Sequence, residues 1–150
     1  MVYKEVRTDL FRYEKTHTLV HCISADFALG KGIAKQFEKR YSLKKALFEK
    51  YGTNWRGSNY GMFAKDKGVC LFANGVFNLV TKERYWHKPT LTSVKNALLD
   101  MKGYAGQMQI KRLAMPKIGC GLDKLKWEDV SKIIKDVFSD TDIEIIVCYL

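Results

Sequence analysis

Proline is scarce, at two in 150 residues, and no segment is compositionally biased, which excludes a Pro-rich linker, a collagen-like repeat or a low-complexity tail. Uninterrupted apolar runs fall short of the roughly 18 residues that a membrane span needs. The opening Met1-Val-Tyr-Lys-Glu-Val6 has no basic-then-apolar signal pattern. Cys22, Cys70, Cys120 and Cys148 stand far apart without a C-x-x-C pair, as reduced intracellular thiols do. The three histidines show no ligand spacing, so neither a metal site nor a cofactor is expected. These absences point to a protein of the nucleus or cytoplasm, with no membrane contact.

What is present is an apolar fraction of 47%, enough to give residues 1–150 one core and one domain, expected to be monomeric. Lys and Arg exceed Asp and Glu by 26 to 16, leaving a net charge of +10. By successive fifties the excess is +5, +4 and +1, so it is spread over the first two thirds and not gathered in a tail. A field of that sign favours an anionic partner.

Short β-rich runs alternate with helical patterns. Tyr3–Arg7 and Thr18–Ile23 read as strands, the second too apolar for a solvent-facing edge. Ile33, Ala34, Phe37 and Tyr41 recur at helical spacing, and Leu43, Ala46, Leu47 and Tyr51 predict a second helix closed by Gly52. Residues 53–68 lack periodicity and read as a long, mobile surface loop, with Trp55, Tyr60 and Phe63 as its anchors. Asn74-Gly75 between Val69–Ala73 and Val76–Thr81 is a strong hairpin signal. Thr90 caps a helix that Gly103 and Gly106 are expected to break, and Ile110–Met115 is the next strand. A helix over Trp127–Phe138 and a strand over Ile143–Tyr149 complete the chain. The order predicts a three-layer α/β/α sandwich around a mixed sheet.

Two glycine loops each follow a buried strand and lead toward a helix, where backbone N–H groups and the helix dipole favour an anion. They are Ala28-Leu-Gly-Lys-Gly-Ile-Ala34 and Pro116-Lys-Ile-Gly-Cys-Gly-Leu-Asp123. Neither fits the P-loop or dinucleotide fingerprint, but two in one small basic domain suit both halves of a pyrophosphate.

Together with His21-Cys-Ile-Ser24, Thr81-Lys82 and His87-Lys-Pro-Thr90, the string Met115-Pro-Lys-Ile-Gly-Cys-Gly-Leu-Asp123 resembles a macrodomain, closest to the terminal ADP-ribose protein glycohydrolase branch. The resemblance covers nearly the whole chain. It implies an ADP-ribose pocket at the C-terminal edge of the sheet, with Asp9 and Leu10 near the adenine and Ser24 near the distal ribose. Gly30, Gly32, Ile33 and Ala34 would wrap the diphosphate from one side. Pro116, Ile118, Gly119, Cys120, Gly121 and Leu122 would wrap it from the other, with Thr81 beside the site. Partners implied are ADP-ribose and ADP-ribosylated proteins, with weak poly(ADP-ribose) or nucleic-acid binding through the basic surface.

The activity implied is release of ADP-ribose from acidic side chains and deacylation of O-acyl-ADP-ribose, with Lys82 as nucleophile and Asp123 as acid/base. The chemistry suits these groups: an amine captures the aldehyde carbon of an opened ribose as a Schiff base, and a carboxylate moves the protons. A non-catalytic reader of mono- or poly-ADP-ribose and an ADP-ribose 1″-phosphate phosphatase are the alternatives. Thr8 stands where the family usually has a glycine, and Glu83 follows Lys82 where the branch has a basic residue. Alternation at a strand end is expected to turn Glu83 away from Lys82. Outside the resemblance, Cys120 reads as a small loop residue, His21 as a core histidine bonded to backbone, and His87 as structural.

Overall fold

The computed structural model describes residues 1–52 and 67–150. The predicted loop and its three aromatics therefore lie outside the described residues, apart from Lys67 and Gly68. Strands β1 (Val2–Arg7), β2 (Thr18–Ser24), β3 (Val69–Ala73), β4 (Val76–Lys82), β5 (Arg112–Met115) and β6 (Glu144–Tyr149) build one sheet, ordered β1-β6-β5-β2-β4-β3. All neighbours run parallel except β3 and β4, which form the expected hairpin. Its turn holds Asn74 at φ 46° and Gly75 at φ 77°, the pair of left-handed residues that a type I′ turn requires.

Helices cover both faces, as the apolar strands predict. Leu19, Ile23, Val80, Ala114 and Ile146 point into a core with Phe37 of α1 (Gly32–Tyr41) and with Leu43 and Leu47 of α2 (Leu43–Tyr51). The alternate residues Val20, Leu79, Leu113, Ile145 and Val147 meet α3 (Leu91–Gln107) and α4 (Trp127–Phe138) in a second core. The fold is the mixed α/β/α sandwich that the sequence predicts.

Two elements differ from expectation. Helix α3 runs through Gly103 and Gly106, which sit on its exposed side while Leu98, Met101 and Ala105 are buried opposite. Burial of that stripe outweighs a cost of about 1 kcal/mol per glycine. The helix ends instead at Gln107, and two residues on Gln109, with a φ of 56°, reverses the chain so that Ile110 N donates to Ala105 O; β5 starts only at Arg112. A 3₁₀ turn at Leu10–Tyr13 has no periodicity to announce it; Asp9 caps it, its Oδ1 accepting from Phe11 N at 3.0 Å.

His21 is buried in the core, but its partner is a side chain and not the backbone. The Asn78 amide donates to Leu71 O and Val76 O, so its Oδ1 is the acceptor and His21 Nε2 the donor at 2.6 Å. The imidazole stacks on Phe37 with ring centres 3.9 Å apart, and Nδ1 has no hydrogen-bond partner. Burial pulls its pKa down to about 4, so the ring is neutral near pH 7.

Candidate active site

Because β2, β4 and β5 are parallel, their C-terminal ends deliver three loops to one edge of the sheet: residues 25–31, 83–89 and 116–126. The β2–β4 register slips between Ile23 and Ser24, which pair with Val80 and Lys82. This irregularity leaves Thr81 as the extra residue and sets Lys82 level with Ser24, a typical use of a bulge at a strand end. Ala25 N closes the step by donating to Lys82 O at 2.9 Å.

From that position Lys82 Nζ reaches Asp123 Oδ1 at 2.6 Å, and each side chain is only 14% exposed. Residues 41 positions apart are thereby joined across the loops. Asp123 is presented by a tightly folded loop. Ile118 N donates to Pro116 O, Cys120 N to Lys117 O and Leu125 N to Gly119 O. Gly119 has φ +73°, and a Cβ there would lie 3.1 Å from Leu125 Cδ1, so this turn requires glycine. The first glycine loop comes up against the second: a Cβ on Gly32 would stand 3.7 Å from Leu122 Cδ1. Gly32 opens α1, whose N-terminus faces this junction.

The other named residues divide by burial. Gly30 and Gly121 are exposed, Ile33 and Ala34 are half-buried against the first core, and Pro116 is half-buried. Leu10 and Ile118 are core side chains, so only their backbones are available to a ligand. Asp9 is exposed but one oxygen is committed to its cap. Thr81 is buried beside Cys22.

Sequence reasoning missed Asp26. Its Oδ1 accepts from Ser24 Oγ at 2.5 Å and from Ala28 N at 3.2 Å, while Oδ2 accepts from Tyr85 N at 3.0 Å. One carboxylate thus pins the loop after β4 to the loop after β2, in which Phe27 and Leu29 hold left-handed φ values of 53° and 42° while buried. The Ser-x-Asp spacing was the available signal, since such carboxylates bond backbone two residues on. Ser24 is nearly buried and its hydroxyl is spent on Asp26. Lys88 Nζ makes the third tie, donating to Leu122 O at 2.8 Å.

Two thiols border the pair. Burial pushes Cys22 up to about 12, with the Asp123 charge adding and the Lys82 charge opposing, and burial also raises Cys120. Both remain thiols at neutral pH, and Cys120 donates to Ile118 O at 3.3 Å. His87 closes a local turn, its Nδ1 accepting from Arg84 N. Among the described residues, no three His, Cys, Asp or Glu side chains converge as a metal ion requires.

The family model described as Macro domain matches residues 20–134, from β2 to α4. The chain belongs to the macrodomain family. Among its relatives is the bovine (Bos taurus) protein named ADP-ribose glycohydrolase OARD1, 38% identical over 142 residues, which cover 95% of this macrodomain and 88% of that protein. The macrodomain of Mycobacterium tuberculosis DarG has the same fold, with a TM-score of 0.79 at 24% identity over 99% of this chain and 98% of its own. Thermosipho africanus DarTG, solved in complex with ADP-ribose, matches with a TM-score of 0.75 at 18% identity; the match spans 100% of this macrodomain and 42% of that chain.

Proposed function

We propose that residues 1–150 form one macrodomain that hydrolyses ADP-ribosyl esters, freeing ADP-ribose from glutamate and aspartate side chains of proteins and deacylating O-acyl-ADP-ribose. The observation that carries this reading is the Lys82–Asp123 pair, 2.6 Å apart at the meeting of two glycine loops. The name of the bovine relative supports the activity, and the ADP-ribose complex of the DarTG neighbour supports the ligand.

In this reading the diphosphate lies between the Gly30–Ala34 segment, at the N-terminus of α1, and the backbone of Ile118–Leu122. Asp9 and the backbone of Leu10 border the adenine. Ser24 acts beside the distal ribose by holding Asp26, and Thr81 and Pro116 wall the strand ends. Lys82 Nζ attacks C1″; the bond from C1″ to the acceptor oxygen breaks, and the acceptor leaves as a carboxylate. Asp123 takes the proton from the attacking nitrogen. Water then hydrolyses the C1″–N adduct, which returns the amine and releases ADP-ribose. O-acyl-ADP-ribose follows the same route when the acyl group occupies the anomeric oxygen.

Incubation with glutamate-linked mono-ADP-ribosyl protein and with O-acetyl-ADP-ribose tests the proposal. Wild type should release ADP-ribose from both. Lys82→Ala should lose turnover by on the order of a thousandfold. Asp123→Asn should lose about 10²- to 10⁴-fold. Calorimetry should find ADP-ribose still bound by Lys82→Ala. Binding without release by wild type would reduce the protein to a reader, and full activity of Lys82→Ala would remove the amine from the mechanism.

A further inference from the structure

Among the described residues four large apolar side chains are more than half exposed: Tyr85 at 55%, Trp86 at 63%, Leu122 at 62% and the terminal Leu150. Three of the four stand on the two loops that carry Lys82 and Asp123, which Lys88 Nζ ties together at Leu122 O. Tyr85 and Trp86 lie three and four residues beyond Lys82, and Leu122 immediately precedes Asp123. Scattered single apolar residues on a surface need no explanation, but three on the two loops that present an ion pair do.

The cluster is held rigidly. Tyr85 N is bonded to Asp26, Lys88 Nζ ties the same loop to Leu122 O, His87 N returns to Arg84 O at 3.0 Å, and Pro89 is buried at the loop's end. The backbone is anchored on both flanks while the side chains project into water. Tyr85 and Trp86 meet edge to face, 5.0 Å apart at 86°, which makes an open apolar corner and not a parallel slot for a flat ring. Local charge argues against a phosphate track: Lys82 and Lys88 are already engaged, and Glu83 offsets Arg84. Trp, Tyr and Arg beside an aliphatic residue are the composition of a protein-binding hot spot.

We infer that Tyr85, Trp86 and Leu122 form an acceptor-side clasp that docks an apolar side chain of the substrate polypeptide next to its ADP-ribosylated carboxylate. This rests on the ester hydrolase reading and adds a sequence preference to it. The rim selects among acceptors, whereas Lys82 and Asp123 act on all of them alike.

Synthetic peptides carrying one ADP-ribosyl glutamate, flanked by Leu and Phe or by Ser and Gly, provide the test. Wild type should favour the apolar flank in kcat/KM by about tenfold, and the Tyr85→Ser/Trp86→Ser variant should lose that preference. O-acetyl-ADP-ribose, which has no flanking residue, should be turned over equally by both forms. Equal rates on the two peptides would overturn the clasp. So would a loss on O-acetyl-ADP-ribose as large as that on the peptides, or a stronger effect on ADP-ribosylated single-stranded DNA than on either peptide. Anisotropy with the same peptides reads the preference as affinity, so the clasp stands or falls separately even if wild type releases nothing.

Discussion

At the scale of single residues, Lys82 and Asp123 are joined at 2.6 Å, while the buried His21 carries a titration that bears on stability. His21 is fully buried with a pKa near 4, below the value of about 6.5 in an unfolded chain. As pH falls below about 6.5 the unfolded chain takes up this proton first. The associated stability is therefore complete above that pH and is lost on the way down to about 4, where the folded protein also protonates. The whole interval corresponds to about 3 kcal/mol. Urea unfolding at pH 7 and pH 5 should show wild type losing about 2 kcal/mol more than His21→Gln. Equal losses would mean that His21 is not the titrating group. The Phe37 stack and the Asn78 bond were illegible in advance, because apolar strand context reveals burial but not which side chains meet across 57 positions.

At the scale of elements, α3 offers the clearest check of why the helix continues where glycine was expected to stop it. A Cβ at Gly103 or Gly106 would meet nothing within 4 Å. Gly103→Ala and Gly106→Ala should each raise stability by about 0.5–1 kcal/mol, seen as a higher midpoint in thermal unfolding. A fall would show that one of these positions is strained. The six strands and four α-helices of the described residues were legible as periodicity, capping residues and the Asn-Gly turn. The 3₁₀ turn after Asp9 and the bulge that aims Lys82 were not. The first is too short to show a period, and the second depends on how β2 and β4 pair, which neither strand encodes alone. The site was legible as glycine loops and as resemblance; its brace, Asp26, was overlooked because its role is to join loops and not to touch chemistry.

At the scale of the whole molecule, the parallel strands β2, β4 and β5 gather three loops at one edge of a mixed sheet, in a chain of net charge +10. A concavity of about 350 Å³ on the opposite edge is lined by Lys15, His17, Lys111 and Arg112, far from the lysine–aspartate pair. The field should steer anionic substrates to the molecule as a whole. Raising ionic strength from 50 to 300 mM is thus expected to lower kcat/KM for O-acetyl-ADP-ribose by about threefold. A salt-independent rate would assign the charge no part in substrate encounter. The central claim is that the two glycine loops hold the diphosphate so that C1″ of the distal ribose meets Lys82 Nζ. Its most direct test is to incubate the protein with ADP-ribose and a borohydride reductant and to map the modified peptide by mass spectrometry. A reduced C1″–Nζ adduct on Lys82, absent from Lys82→Ala, is the predicted result; no adduct, or one on another lysine, would contradict the account.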